Sequence, residues 1–279
     1  MNPDAIPSLR SPVGIFDSGL GGLTVLKEVM RLLPDEDTVY FGDSGRAPYG
    51  TKSHDTIVKF ALQDMRFLLE HRVKAIVIAC NTASAHAFDP IREEAGIPVL
   101  EVIGPGARAA AAATRTGRIG IIGTQATVDS GVYLRAVETL APLGVVIHQQ
   151  ACPLFVGLAE EGWWENDIAR RVAAEYLAPL KRAGIDTLVL GCTHYPLLKR
   201  VIQEAIGPEV RLIDSAAEVA RAAKARLEQV GLLHGPRADA DPVRHAYYTS
   251  DSAERFRQLG GAFLRHEVPE AHKVEIERF

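Results

Sequence analysis

The chain has 279 residues, of which 47% are hydrophobic and 24% are charged, and its formal net charge is −4. This composition predicts a folded globular protein rather than a disordered one. The negative charge, together with the absence of any Lys/Arg run, argues against a nucleic-acid-binding surface.

The sequence predicts neither a membrane segment nor an export signal. The longest apolar stretches, such as VKAIVIAC at residues 73–80, are too short to span a bilayer. The first twelve residues, MNPDAIPSLRSP, lack the apolar centre of a signal peptide. Three cysteines are too few for a disulfide framework, and an odd number is typical of a reducing compartment. We therefore expect a soluble, cytoplasmic protein.

Short β-branched apolar runs alternate with longer amphipathic segments along most of the chain. Strands are predicted, in chain order, at residues 12–16, 38–41, 75–79, 99–103, 118–122, 145–148, 187–190 and 210–213. Helices are predicted between them at residues 23–33, 55–70, 83–94, 107–113, 131–140, 167–181 and 197–205. This alternation predicts an α/β fold with mainly parallel sheets flanked by helices. Ligands of such folds bind beyond the carboxyl ends of the strands.

Two strand-end segments of the chain resemble each other. VIACNTAS (residues 77–84) and VLGCTHYP (residues 189–196) each contain an apolar strand, a cysteine and a nearby threonine. A second similar pair, VGIFDSG (residues 13–19) and IGIIGTQ (residues 119–125), is separated along the chain by roughly the same number of residues. Buried strands often look alike, but the matched cysteines favour two similar α/β domains with the active site between them. About 150 residues per domain is usual, so the length predicts two domains. Because Gly104-Pro105-Gly106 breaks the chain between the similar halves, we expect residues 1–104, completed by 214–279, to form the first domain and residues 105–213 the second.

The two matched cysteines, Cys80 and Cys192, are the strongest candidates for chemistry. Each follows a predicted strand and precedes a helix, where unpaired N–H groups favour the thiolate. A free cysteine can also be a small buried hydrophobe, but equivalent positions in two similar halves favour a chemical role. Cys152, in QACPLF, leads into Pro153 with no clear helix, so we expect it to serve packing alone.

Polar residues are predicted at the same strand ends. They are Asp17 and Ser18, Asn81 and Thr82, and Thr193 and His194. Asp17 and His194 are natural partners for proton transfer with the thiols. Helix capping is an alternative explanation for Thr82, Thr193 and Asp17. Because no Arg is placed to clamp a carboxylate, a small anionic substrate would be held by backbone N–H groups.

Two other motif interpretations were weighed against a thiol site. Residues 19–22, GLGG, resemble part of a dinucleotide-binding loop with Asp43 downstream, but Thr24 occupies the place of the third glycine. Cys80, Cys192 and His194 could ligate zinc as a Cys₂His set, but no CxxC spacing supports this. We therefore expect neither a metal nor an organic cofactor.

Five longer motifs carry a family resemblance. They are GIFDSGLGGLTVL (14–26), YFGDSGRAPYG (40–50), IACNTASA (78–85), CPLFVGLAEEG (152–162) and LGCTHYPLL (190–198). Together they resemble the glutamate racemases of the aspartate/glutamate racemase family. The resemblance extends from residue 12 to LIDSA at 212–216 and is thin beyond Gly231, although YYTSDSAERF (247–256) looks like the C-terminal part of the family.

The resemblance implies a function and a set of roles. Cys80 and Cys192 would be the proton donors and acceptors, assisted by Asp17, His194 and Glu160, the last expected in a loop. The substrate-binding residues would be Asp17, Ser18, Tyr49, Gly50, Asn81, Thr82, Thr193 and His194. The enzyme would interconvert L- and D-glutamate without a cofactor and supply D-glutamate for peptidoglycan synthesis. Family members are often homodimers, so a homodimer is expected here.

The chemistry agrees with these residue types. Inverting an α-carbon needs a base on one face and an acid on the other, and two thiols can supply both. An aspartate or hydantoin racemase of the same superfamily would share the thiol pair. A non-catalytic ligand-binding protein of the same fold is a further alternative, against which the two intact cysteines argue.

Overall fold

The structure, a computed structural model, describes residues 8–141, 143–237 and 241–279. Residues 1–7, which are most of the N-terminal segment in which no export signal is predicted, lie outside this range, as do residue 142 and residues 238–240 of the predicted domains. In the described part of the chain, no helix is long and apolar enough to cross a bilayer.

Ten strands and eleven α-helices occur within the described residues. The strands are β1 (Val13–Asp17), β2 (Thr38–Gly42), β3 (Ala75–Ile78), β4 (Val99–Glu101), β5 (Arg118–Gly123), β6 (Val146–Ala151), β7 (Thr187–Gly191), β8 (Arg211–Asp214), β9 (His245–Thr249) and β10 (His272–Lys273). The helices are α1 (Leu23–Leu32), α2 (His54–Glu70), α3 (Asn81–Ala95), α4 (Ile103–Ala113), α5 (Gln125–Asp129), α6 (Val132–Leu140), α7 (Leu154–Glu160), α8 (Asp167–Arg182), α9 (Lys199–Ile206), α10 (Ser215–Gln229) and α11 (Ala253–Leu264).

The strands form two parallel sheets with a shared pattern. The first has the order β10-β9-β2-β1-β3-β4 and the second the order β6-β5-β7-β8. All pairings in both sheets are parallel. The order β2-β1-β3-β4 matches β6-β5-β7-β8, and β9 and β10 extend only the first sheet. The predicted α/β fold with two similar halves is therefore confirmed, and Cys80 and Cys192 follow the equivalent strands β3 and β7.

Three apolar cores hold the layers together. Helices α2 and α3 pack on the outer face of the first sheet, and α7, α8 and α9 pack on the outer face of the second. A third core lies between the sheets and contains buried residues of α1, α4, α6 and α10 together with residues of β1, β3, β5 and β7. The central strands are buried on both faces, as expected for parallel sheets covered by helices.

All eight predicted strands and seven predicted helices exist, with ends that differ by a few residues. The sequence did not predict six further elements, β9, β10, α5, α7, α10 and α11. Two expectations were wrong because α7 is only seven residues long and has little periodicity to detect. Glu160 is the last residue of this helix, not part of a loop, and Cys152 precedes the same helix with Pro153 as its N-cap. The predicted domain boundary at residues 104 and 105 lies inside α4, and the domain division stays a prediction.

A single carboxylate ties the end of α4 to the second sheet. Asp186, directly before β7, accepts hydrogen bonds from Thr114 Oγ1 (2.7 Å), Arg115 N (2.7 Å), Thr116 N (2.6 Å) and Thr116 Oγ1 (2.9 Å). Burial alone would disfavour the charged carboxylate, but these donors outweigh it and hold the pKa of Asp186 well below its usual range.

We expect Asp186→Ala to lower the free energy of unfolding by about 2–3 kcal/mol at pH 7, because the four donors of residues 114–116, together with Thr187 Oγ1, lose a charged acceptor. Since the folded-state pKa is depressed, this contribution is present above the unfolded pKa of about 4 and is lost as the pH falls below it. Urea unfolding of both proteins measures the difference. Glu175→Ala, at an exposed position of α8, is the control and should change stability by less than about 0.5 kcal/mol. Equal effects of the two variants would contradict the assigned role of Asp186.

Candidate active site

The carboxyl ends of β1, β3, β5 and β7 meet at one narrow cleft between the two sheets. Nine predicted site residues line it: Ser18, Tyr49, Gly50, Cys80, Asn81, Thr82, Cys192, Thr193 and His194. Its free volume is about 20 Å³, little more than one water molecule needs. A larger cavity of about 400 Å³ adjoins it and shares Pro48 and Val156 with it. An amino acid can therefore bind between the cysteines only if the cleft widens.

Cys80 lies at the start of helix α3 as its N-cap. Its Sγ accepts a hydrogen bond from Ala83 N (3.4 Å) and donates one to Ser18 Oγ (3.5 Å). The side chain is buried. Burial, followed by the negative charge of Asp17, raises the pKa of the Cys80 thiol to about 12. At neutral pH Cys80 is therefore a thiol, despite its position at a helix N-terminus.

Cys192 has different neighbours on the opposite side of the cleft. It is followed by a 3₁₀ turn (Tyr195–Leu198) rather than directly by an α-helix. Its Sγ lies 3.8 Å from His194 Nδ1, and His194 Nε2 lies 3.3 Å from Glu160 Oε1. Burial alone would lower the pKa of His194, but the hydrogen bonds to Cys192 and Glu160 outweigh it and raise the pKa to about 10. Because His194 is then an imidazolium at neutral pH, both of its ring nitrogens can donate, Nδ1 toward Cys192 Sγ and Nε2 toward Glu160 Oε1.

Asp17 lies behind the cleft and connects its two sides. Its carboxylate accepts hydrogen bonds from Gly19 N (3.1 Å) and from Thr193 Oγ1 (3.3 Å). Thr24 of α1 donates from Oγ1 to the Thr193 carbonyl at 3.0 Å. Asp17 is fully buried, and this burial raises the pKa of its carboxyl group. The Thr193 backbone and side chain are thus both held by residues of the first half.

Asn81 and Thr82 begin helix α3 and contact the second half directly. Tyr133 of α6 donates from its hydroxyl to Asn81 Oδ1 at 2.7 Å. Among the described residues, the buried Asn81 Nδ2 has no hydrogen-bond partner. Thr82 Oγ1 lies 3.0 Å from Thr124 Oγ1 and 3.2 Å from Thr127 Oγ1. The hydroxyl of Thr82 therefore bonds between the halves, whereas the amide nitrogen of Asn81 has no protein partner among the described residues.

Tyr49 and Gly50 form a turn that closes one side of the cleft. The Tyr49 hydroxyl points away from the cysteines and bonds to Asp43 and Asp64. A Cβ atom at Gly50 would lie only 2.6 Å from Thr124 Cβ, so glycine is needed for this close approach. The turn can thus offer backbone groups and the Tyr49 ring to a ligand, but not a free Tyr49 hydroxyl.

Two predicted residues lie outside the cleft lining, and three lining residues were not predicted. Asp17 is behind the cleft, and Glu160 lines the adjoining cavity. Pro48, Thr124 and Val156 complete the lining. The internal repeat contained a signal for Thr124, because aligning VGIFDSG with IGIIGTQ places Thr124 opposite Ser18. Val156 comes from α7, for which the sequence held no comparable signal.

Cys152 does not reach the cleft. It is fully buried, with its Sγ 3.7 Å from the Gln150 carbonyl oxygen. Burial raises its pKa well above the ordinary value for a thiol. All three cysteines are free. Within residues 8–141, 143–237 and 241–279, no three His, Cys, Asp or Glu side chains are grouped so that they could hold a metal ion.

The chain matches known racemases along most of its length. The family model described as Asp/Glu/Hydantoin racemase matches residues 21–223. A glutamate racemase from Geobacter metallireducens is 50% identical over 265 residues, which cover 95% of this chain and 97% of that protein.

Two solved structures share its fold. The glutamate racemase from Francisella tularensis, in complex with D-glutamate, has a TM-score of 0.90 and 38% identity and covers 97% of this chain and 100% of its own. The glutamate racemase from Thermus thermophilus, in complex with beta-chloro-D-alanine, has a TM-score of 0.86 and 42% identity and covers 98% of this chain and 100% of its own. The resemblance predicted from the motifs is thereby confirmed, and the chain belongs to the Asp/Glu/Hydantoin racemase family.

Proposed function

We propose that this protein interconverts L- and D-glutamate, with Cys80 and Cys192 acting on opposite faces of the α-carbon and without a cofactor. The observation that carries the proposal is the pair of free cysteines at equivalent strand ends of the two halves, both lining one cleft. The 50% identity to a glutamate racemase over almost the whole chain supports glutamate as the substrate.

Racemisation needs a base on one face of the α-carbon and an acid on the other. In one direction of the proposed reaction Cys192, beside the imidazolium of His194, removes the α-proton, and the Cys80 thiol delivers a proton to the other face. The reverse reaction begins with the protons exchanged. Asp17, whose pKa is raised by burial, assists Cys80 by accepting or relaying a proton. Glu160 assists Cys192 by keeping His194 charged.

Substrate binding relies on neutral donors at the strand ends. Asn81 Nδ2 is a buried donor without a protein partner, and a substrate carboxylate oxygen would satisfy it. Backbone N–H groups near Ser18, Gly50 and Thr193 are further donors at the cleft. Such donors also stabilise the negative charge that develops on the carboxylate as the α-proton leaves.

The family model also covers aspartate and hydantoin racemases, so the substrate itself needs a direct test. Circular dichroism of reactions with glutamate, aspartate and a hydantoin distinguishes them, and we expect loss of optical activity with glutamate. Faster racemisation of aspartate or the hydantoin would favour the alternative substrate, and no turnover of any would favour a ligand-binding protein.

The wider setting of the activity is also part of the proposal. We infer that the enzyme acts in the cytoplasm and supplies D-glutamate to peptidoglycan synthesis, and three unpaired cysteines agree with a reducing compartment. We also propose a homodimer. The exposed apolar side chains of Leu154, Trp163 and Ile168 support this, because they are candidates for burial in an interface.

Loss of either paired thiol should abolish racemisation. We expect Cys80→Ala and Cys192→Ala each to lower kcat/KM by about 10²- to 10⁴-fold, because each removes the acid or base for one face. Cys152→Ala is the matched control and should retain most of the activity, since Cys152 lies outside the cleft. An equally inactive but folded Cys152→Ala protein would overturn the assignment of the pair.

The pH dependence of kcat/KM should change when the contact between Glu160 and His194 is removed. Because Glu160 helps to keep the pKa of His194 raised, Glu160→Gln should lower that pKa. The imidazolium is then lost at lower pH, and the alkaline limb of kcat/KM moves to lower pH. Glu161→Gln, an exposed neighbour, should leave the profile unchanged. The substrate amino group titrates equally in the unsubstituted protein and in both variants. If the alkaline limb of Glu160→Gln did not move, the assigned role of Glu160 would be refuted.

Isotope transfer in D₂O tests the two-base mechanism most directly. A thiol carries one exchangeable proton, which equilibrates with the solvent. One cysteine removes hydrogen from the substrate, and the opposite cysteine delivers deuterium to the other face. At early times the product enantiomer should therefore contain deuterium, while the recovered starting enantiomer stays unlabelled. Mass spectrometry of the separated enantiomers measures both. Substantial early deuterium in the starting enantiomer would exclude the two-thiol mechanism, even if glutamate is the substrate.

A further inference from the structure

A buried polar cluster lies behind the turn that closes the cleft. It consists of Asp43, Arg46, Tyr49 and Asp64, and we call it the carboxylate cluster. Asp64 comes from the middle of α2, and the other three come from the segment after β2. Asp43 and Asp64 are fully buried, and Tyr49 is 1% exposed. The cluster therefore connects the turn that contains Tyr49 and Gly50 to the body of the first half.

If Asp43 and Asp64 were both ionised, the hydrogen bonds of this cluster would be one proton short. The Tyr49 hydroxyl lies 2.8 Å from Asp64 Oδ2 and also bonds to Asp43 Oδ2. A hydroxyl has a single proton and can donate to only one of two carboxylates. The other carboxyl group must therefore carry a proton and donate it to the Tyr49 oxygen.

The position of Arg46 decides which carboxyl group carries the proton. Arg46 Nε donates to Asp43 Oδ2 at 2.7 Å, the same oxygen that bonds to Tyr49. The Arg46 cation therefore stabilises a negative charge on this oxygen, which then accepts the proton of the Tyr49 hydroxyl. Asp64 Oδ1 accepts from Arg46 Nη2 at 3.1 Å, and its Oδ2 is free to carry the proton. The resulting chain runs from Asp64 to Tyr49 to an ionised Asp43 paired with Arg46.

The electrostatic surroundings agree with this count. Burial, followed by the charge of Asp43, raises the pKa of Asp64 well above its ordinary value, and Arg46 opposes the shift only in part. Asp17 is the other charged group that acts on Asp64, and it raises the pKa further. With Asp64 neutral, Asp43 and Arg46 balance each other, so the cluster buries no net charge.

We propose that Asp64 is a positioning residue that remains a protonated carboxylic acid at neutral pH and, by donating to Tyr49, fixes the substrate-binding turn. Asp64 itself does not line the cleft. Gly50 packs closely against Thr124 of the second half, so a displaced turn would alter the width of the site. The inference rests on the proposed racemase function only for the identity of the substrate that the turn binds. The protonation state of Asp64 does not depend on that function.

Three variants distinguish a protonated Asp64 that acts through its hydrogen bonds from an ionised Asp64 that acts through its charge. Asp64→Asn keeps one donor for Tyr49 and one acceptor for Arg46, so we expect less than about a threefold change in kcat/KM. Asp64→Ala loses both, and we expect KM for glutamate to rise about tenfold or more, with a smaller change in kcat, because the turn is misplaced. Asp55→Asn removes an exposed carboxylate from the same helix and should have the same kcat and KM as the protein without a substitution.

Infrared spectroscopy measures the proton directly and needs no activity. In the difference spectrum of unchanged protein minus Asp64→Asn near neutral pH, we expect the carbonyl stretching band of a protonated carboxylic acid. The corresponding Asp55→Asn difference should lack this band. A carboxylate band for Asp64, or an Asp64→Asn protein as impaired as Asp64→Ala, would overturn the proposal. If the unchanged protein failed to racemise glutamate, the proposed function would fail while the infrared result still decided the state of Asp64.

Discussion

The apolar core between the two sheets is the constraint on which the site depends. Helices α1, α4, α6 and α10 share this core with the central strands of both sheets. Unpaired polar groups are costly in such a layer, so the reactive and hydrogen-bonding side chains lie where it ends, at the carboxyl ends of the strands. One core serves both halves, and it is much larger than the site. Its packing therefore sets the positions of Cys80 and Cys192 relative to each other.

The repeat is symmetric in its strands but not in its electrostatics. The negative charge of the buried Asp17 opposes ionisation of Cys80, whereas Cys192 lies beside the imidazolium of His194, which is in turn bonded to Glu160. A reversible inversion needs one thiol protonated and the other ionised at any moment. The two cysteines occupy equivalent strand ends but have unlike hydrogen-bond partners, Ser18 for Cys80 and His194 for Cys192.

Hydroxyl groups join the halves at the cleft, and this has a consequence for access. Thr82 meets Thr124 and Thr127, and Thr24 donates to the Thr193 backbone. These contacts and the close approach of Gly50 leave space for about one water molecule. Binding of an amino acid must therefore break or stretch some of them. Hydroxyl contacts suit this task, because water can replace them at modest cost when the cleft opens.

Local patterns in the sequence were sufficient for the eight strands, the paired cysteines and the polar residues beside them, since each depends on a few consecutive residues. They were not sufficient for α10, half of whose buried residues are alanine and give a weak apolar period, or for β9, which pairs with β2 about 200 residues away. Only the tertiary structure placed Asp64 against Tyr49, Tyr133 against Asn81, and Glu160 against His194. Those contacts join distant segments, so hydrogen-bond partners and proton states were decided by folding rather than by neighbours in the chain.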